Sequence, residues 1–247
     1  MMKGRHLVFG ATGGIGAALC RHLKEAGGDP VLIARDRAKL EAMSQELGAV
    51  SHSVDCRDWE QVESLVGSLA AEGDPIDGVA VCIGSLLIKP AHLTRREEFE
   101  ATIESNLSVA FGILRAVVRP MMKAGGSIVL ASSAAARIGI SNHEAIAAAK
   151  AGVIGLTVSA AATYAARGIR VNCVAPGLTE TPMTERLTAN EAGRRASEAM
   201  HAMGRLGRPE EVARAIAWLL DRQQSWVTGQ TIGVDGGLGV ALSRRSA

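Results

Sequence analysis

From one end to the other, the chain alternates short, unbroken apolar runs with longer stretches in which apolar residues return every three or four positions. The candidate strands are residues 6–9, 31–34, 79–83, 127–132, 170–174 and 231–234, with 50–55, Val-Ser-His-Ser-Val-Asp, a more polar one. The stretches between them are 14–26, 37–47, 59–72, 96–122, 143–167 and 209–220. A run without polar alternates is buried on both faces, as a parallel strand is. A stretch of helical period lays one apolar side on such a sheet. In 14–26 that side is Ile15, Leu19 and Leu23; in 59–72 it is Val62, Leu65, Val66 and Leu69. Pro30 suits the first position of its strand, where no ladder donor is needed. The alternation predicts an α/β fold, a doubly wound parallel sheet of seven strands with helices on both faces. No linker or repeat interrupts it, so residues 1–247 read as one domain.

Composition narrows the function classes. Hydrophobic residues make up 47% of the 247 and aromatics only 3%, so alanine and the aliphatics must build the core. The 27 basic and 25 acidic residues leave a net charge of +2, too little to attract nucleic acid or an anionic membrane. Cys20, Cys56, Cys82 and Cys173 have neither CxxC spacing nor clustered histidines, and read as free thiols in a reducing compartment. The first strand starts almost at the N-terminus, leaving no room for a signal peptide, so a cytoplasmic protein is expected. Residues 145–166 carry one charge, Lys150, well inside. That stretch reads as a helix buried at a subunit contact rather than a membrane span. The polar stretch 178–205 is either a lid over a site or a solvated pair of short helices.

The first strand runs into Gly10-Ala-Thr-Gly-Gly14-Ile-Gly16, which opens the first helix. Glycines there allow a sharp turn and bring backbone N–H groups close to a phosphate, beside the positive end of a helix. Gly10, Thr12, Gly13, Gly14, Ile15 and Gly16 are therefore candidate cofactor contacts. The spacing is GxxxGxG, and further motifs follow in order. They are Asp55 and Cys56 after the third strand, Gly84 after the fourth, and Asn106 in the long fourth helix. Then come Ser133 in Ala-Ser-Ser, Lys150, and Pro176-Gly177-Leu-Thr179-Glu-Thr181. Gly204-Arg-Leu-Gly-Arg-Pro-Glu-Glu211 and Val234-Asp-Gly-Gly237 complete the series. Across nearly its whole length the chain resembles the short-chain dehydrogenase/reductase family, with its 3-oxoacyl-acyl-carrier-protein reductase-like members. The resemblance implies a Rossmann-type sheet and a nicotinamide dinucleotide. It implies adenine contacts at Asp55, and a nicotinamide cradle from Pro176, Gly177, Thr179 and Thr181. It also implies a Ser133, Lys150 and Asn106 machinery, a small-molecule substrate, and assembly as a homotetramer or homodimer.

The second strand ends at Ala34, followed by Arg35. No acidic side chain repels a ribose 2′-phosphate there, and a guanidinium pairs with one, so NADP(H) is the expected cofactor. The other reading of Arg35 is a solvated residue in the charged helix entry Arg35-Asp36-Arg37.

One motif is broken. The family places a tyrosine four residues before its lysine, on the same helical side, as the proton donor. Here that position is Ile146, thirteen residues after Ser133 as the family spaces them. The single tyrosine, Tyr164, lies fourteen residues beyond Lys150. The family's Asn-Asn-Ala-Gly is here Val81-Cys82-Ile83-Gly84. His143 stands seven residues before Lys150 and shares its side if the helix has begun, the spacing of the tyrosine in the enoyl-reductase branch. Near a helix N-terminus, neutral imidazole is favoured, and it can donate to a carbonyl. The alternative is a helix-start residue, with Ser141 and Glu144 forming a capping box. Ser133, Lys150, Asn106 and His143 are thus the candidate catalytic residues, and Ser133, His143 and Ile146 the candidate substrate contacts. Two functions follow. One is an NADPH-dependent reductase of a carbonyl or activated double bond of an apolar molecule. The other is a weak or inactive NADP(H)-binding homologue acting as a sensor or partner subunit.

Overall fold

The computed structural model describes residues 3–241. Seven strands, β1 (Arg5–Phe9), β2 (Asp29–Ala34), β3 (Ser51–Ser53), β4 (Ile76–Val81), β5 (Gly126–Ala131), β6 (Ile169–Pro176) and β7 (Thr231–Val234), form one sheet. Its order is β3-β2-β1-β4-β5-β6-β7 and every pairing is parallel. The α-helices in chain order are α1 (Gly14–Glu25), α2 (Arg37–Leu47), α3 (Trp59–Ala71), α4 (Arg96–Ile103), α5 (Val109–Met121) and α6 (Glu144–Tyr164). They continue with α7 (Glu185–Thr188), α8 (Glu191–Met200) and α9 (Pro209–Leu220). The strand series reverses direction between β1 and β4. In a doubly wound sheet the crevice opens at that switch, beyond the C-terminal strand ends.

Two apolar layers hold the helices on. Leu19 and Leu23 of α1, Leu40 and Met43 of α2, and Ile216 and Leu220 of α9 pack on one side with Val8, Leu32 and Val129 of the sheet. Val62 and Val66 of α3, Ile113 and Val117 of α5, and Val153 of α6 pack on the other, against Leu7, Ile33, Ile128 and Val171. β1, β2, β4, β5 and β6 bury both faces, which is why their sequences show no regular alternation, while the edge strands β3 and β7 are only partly covered. Asp36 and Asp58 cap α2 and α3 with their side chains, and Pro209 opens α9. The helical segments Arg96–Met121 and Glu144–Arg167 are long and apolar enough to cross a membrane. In the fold, half or nearly half of each is buried.

The structure departs from the sequence expectations at element ends and at one interior point. The stretch 50–55 pairs only over Ser51–Ser53, because the chain turns at Asp55, whose carboxylate accepts from the Arg57 amide at 3.1 Å. β4 begins at Ile76 rather than 79, with Asp77 hidden inside it; the carboxylate is held by the Arg5 amide at 2.8 Å and by the Arg222 guanidinium. The stretch 96–122 is not one α-helix. It widens into a π turn at Glu104–Ser108, where the Val109 N–H reaches back five residues to Glu104 O. Asn106 sits in that turn, and its side-chain amide donates to Thr102 O at 2.9 Å.

Candidate functional site

A cleft of about 590 Å³ opens beyond the C-terminal strand ends. Its floor at one end is the loop leaving β1. Gly10 takes φ +83°, and the amides of Gly10 and Ala11 both donate to Ile33 O, at 2.8 and 3.1 Å. A Cβ on Gly16 would collide with Gly10 O, and one on Gly14 would come within 2.8 Å of Thr181 Cγ2. The loop therefore lies flat on the start of α1. Thr12, Gly13, Gly14 and Ile15 line the cleft, and α1 has no acidic residue in its first turn and no side-chain cap. Unspent helix amides beside bare backbone fit a pyrophosphate.

Past the end of β2, Ala34 is buried and Arg35 exposed. Lys39, in the first turn of α2, lines the cleft from the same side. The sequence reading passed over Lys39; its signal was its place in the first turn of the helix that follows Arg35. Asp55 is paired with Arg57 at 2.5 Å, and the hydrogen bonds from that guanidinium hold its carboxyl below the usual carboxylate range. Cys56 is buried in the core, which pushes its thiol up to about 12. Any contact it makes with a ligand would be through its backbone.

At the other end stand the reactive candidates. Lys150, on α6, is 7% exposed and donates from Nζ to Ala131 O at 2.8 Å. Burial lowers its pKa to about 8. Gly84 separates it from Asn106: a Cβ there would lie 2.8 Å from Asn106 Oδ1 and 3.2 Å from Lys150 Nζ. Asn106 Oδ1 accepts from the Ser85 amide at 3.2 Å, and Nδ2 reaches Ser85 Oγ at 3.0 Å. Two neighbouring serines divide their work. Ser132 is buried and donates to Lys150 O at 2.8 Å, bracing α6 against β5. Ser133 lines the cleft and accepts from the Ala135 amide at 3.2 Å. Ile146, 3% exposed, forms cleft wall one turn before Lys150. Tyr164 is elsewhere, packed on the core at the far end of α6.

His143 lines the cleft, but as the N-cap residue of α6 rather than in its first turn. The expected Ser141–Glu144 capping box does not form, because Asn142 at φ 64° turns the chain and the helix starts two residues later than that box requires. Nδ1 of His143 lies 2.8 Å from Ser141 O, so Nδ1 carries a proton and a neutral ring leaves Nε2 bare. The neutral-donor role expected for this ring is thereby corrected: neutral His143 offers an acceptor, and only imidazolium offers Nε2–H.

The opposite wall is the segment after β6. Pro176, Gly177, Thr179 and Thr181 line the cleft, and so do Met183, Leu187 and Met200 from the 178–205 stretch. The threonines are tied together through Thr184, which the sequence reading missed. Its hydroxyl donates to Thr179 O at 2.5 Å and accepts from the Thr181 amide at 3.0 Å. Leu86, Ile88 and Ile140 complete a largely apolar end. Gly10, Gly16, Arg35, Asp55 and Cys56 are not on the cleft surface; the two glycines shape the loop from behind, and the other three follow β2 and β3. Among the described residues there is no metal-binding cluster.

Residues 10–239 match a family profile described as enoyl-(acyl carrier protein) reductase. The chain is 37% identical over 240 residues to the 3-oxoacyl-(acyl-carrier-protein) reductase FabG of Thermotoga maritima, covering 94% of this chain and 96% of that one. It is 39% identical over 237 residues to the cis-4-hydroxycyclohexanecarboxylate dehydrogenase of Sinomonas cyclohexanicum, covering 94% of each. Among solved structures, an actinorhodin polyketide ketoreductase variant with NADPH superposes with a TM-score of 0.90 at 28% identity, covering 97% of this chain and 98% of that one.

Proposed function

The chain belongs to the short-chain dehydrogenase/reductase family, and on that premise we propose that it is an NADP(H)-dependent oxidoreductase that acts on the carbonyl or activated double bond of an apolar small molecule without the usual tyrosine. The observation that carries this reading is one shared cleft: the glycine loop at one end, and Ser133, His143, Ile146 and Lys150 together at the other. When bound, NADPH supplies a hydride. The loop and the first turn of α1 hold its pyrophosphate, Arg35 and Lys39 its 2′-phosphate, and Asp55 and the backbone at Cys56 its adenine. The cradle from Pro176 to Thr181 holds its carboxamide, and Lys150 its ribose hydroxyls.

The remaining groups act on the substrate. The Ser133 hydroxyl donates to the substrate oxygen and fixes its direction. Ile146 excludes water from that oxygen but has no proton to give. His143 lines the same wall with its imidazole. As imidazolium it donates a proton to the reduced oxygen; as neutral imidazole it accepts one from an alcohol. The stretch 178–205 acts as a lid, and its Met183, Leu187 and Met200 supply apolar contact. We further place the protein in the cytoplasm as a homotetramer or homodimer paired through α4–α5 and α6, with no role at nucleic acid or membrane.

A second reading, a weakly active or inactive NADP(H)-binding sensor or partner subunit, is favoured by one observation: the buried Ile146 beside an otherwise complete set. NADPH titration combined with NADPH oxidation over ketones, quinones and enones separates the two. Turnover of any apolar substrate, depressed in His143→Ala with NADPH affinity retained, supports the enzyme. Tight NADPH binding with no turnover across the panel supports the sensor.

A further inference from the structure

We propose that His201 is a positioning residue that ties the lid to the nicotinamide cradle through the backbone amide of Leu178; the inference rests on the cofactor reading above. His201 stands immediately after α8 and is 4% exposed. Its Nδ1 lies 2.7 Å from Ser197 O, so Nδ1 is the protonated nitrogen. Its Nε2 accepts from the Leu178 N–H at 3.1 Å, so Nε2 is bare. Both nitrogens are thus spent on main chain, one on the lid helix and one on the cradle, and a single neutral tautomer satisfies both.

The surroundings are fitted to the ring. A Cβ on Gly177 would come within 2.6 Å of Nε2, so glycine at 177 is what lets the imidazole reach the next amide. On its other side the ring backs onto Gly236, whose carbonyl accepts from the Met203 amide at 2.9 Å. His201 also lines both the main cleft and a second cavity of about 280 Å³, together with Gly177, Leu178 and Val212. An aliphatic side chain would fill this space as well, so packing alone does not require histidine. What histidine adds is the acceptor for Leu178.

The acceptor exists only in the neutral ring. Imidazolium would set Nε2–H against the Leu178 N–H, donor against donor, and the tie would open. The charged groups around the ring are already engaged. Asp235, after β7, accepts from the amides of Gly237 and Gly239 at 3.0 Å each. Arg205 and Glu211 are paired across the second cavity at 2.6 Å. Arg194 of α8 is paired with Glu198 of the same helix and with Glu180 of the cradle segment.

The test is NADPH affinity at neutral pH, followed by fluorescence, in the wild type, His201→Leu and His201→Gln. His201→Leu should bind about tenfold more weakly. His201→Gln keeps a neutral acceptor and should recover affinity. Equal affinities in the wild type and His201→Leu, or a His201→Gln protein as weak as His201→Leu, would overturn the proposal. Should the wild type bind no NADPH, the cofactor reading fails and the tie is judged separately, by hydrogen exchange at the Leu178 amide. Faster exchange in His201→Leu than in the wild type at neutral pH supports it, and unchanged exchange overturns it.

Discussion

At the end of the cleft formed by residues 10–16, the groups offered to a ligand are main-chain amides, held by glycines that admit no side chain. At the end around Lys150 they are side chains on separate elements: Ser133 after β5, His143 at the N-cap of α6, Ile146 on α6, Asn106 in the π turn. The first kind of site depends on the path of the backbone, which the whole sheet enforces. The second depends on residue identity at single positions, and one substitution can remove a reaction while leaving every supporting contact in place. Ile146 is such a position: the brace from Ser132 to Lys150 O and the Lys150 bond to Ala131 O are both present around it. A complete binding end is therefore no guarantee of a complete reacting end, and the two are best probed apart.

The sharpest probe of the reacting end is Ile146→Tyr. It should raise carbonyl reduction by about 10²–10⁴, the usual worth of a positioned general acid, with the dissociation constant for NADPH nearly unchanged. No gain in initial rate on any ketone would mean that the surrounding groups are not poised for a phenol. At the binding end, Arg35→Asp should lose roughly 10- to 100-fold in affinity for NADPH and gain for NADH, since a charge-assisted contact is replaced by a repulsion. Lys39→Ala should lose only a few-fold, being well exposed and screened. Equal wild-type affinities for the two cofactors would break the comparison at this end. The smallest effect concerns stability. Burial lowers the Lys150 pKa from 10.5 to about 8, so between those values the unfolded chain holds the proton more tightly. Wild-type stability relative to Lys150→Met should accordingly rise as the pH passes from 8 to 10.5, by on the order of 1–3 kcal/mol. Parallel denaturation curves for both proteins over that window would show that the ammonium is not desolvated.

The sequence disclosed the sheet because both-faced burial leaves unbroken apolar runs, and the glycine loop because no other residue type fits it. It disclosed less where polar groups are buried inside an element. Asp77 concealed the first half of β4, since an ionised residue interrupts an apolar run even when Arg222 neutralises it. Asn106 was legible as a motif member, but the π turn around it was not, because a single added residue barely disturbs a helical period. Ser141 and Glu144 have the spacing of a capping box, yet the left-handed Asn142 delays the helix and makes His143 the N-cap. Thr184 and His201 form no pattern along the chain. Their roles come from partners 5 and 23 positions away, Thr179 and Leu178, which only the folded arrangement brings close.

The π turn at Glu104–Ser108 has a consequence at a distance. A helix that carries one extra residue rotates everything after it by about 100° relative to an uninterrupted one. The side of α5 that faces the sheet, with Ile113, Val117 and Met121, is thus set by a count made upstream. Straightening that turn with the same residues would swing that side off β4 and β5 and carry the buried Leu114 and Val118 toward the exposed places of Arg115 and Arg119, whereas deleting one of the five would let an ordinary helix close with that side kept in place. The form of one turn thus fixes the phase of α5, and Asn106 occupies the place where that phase is set.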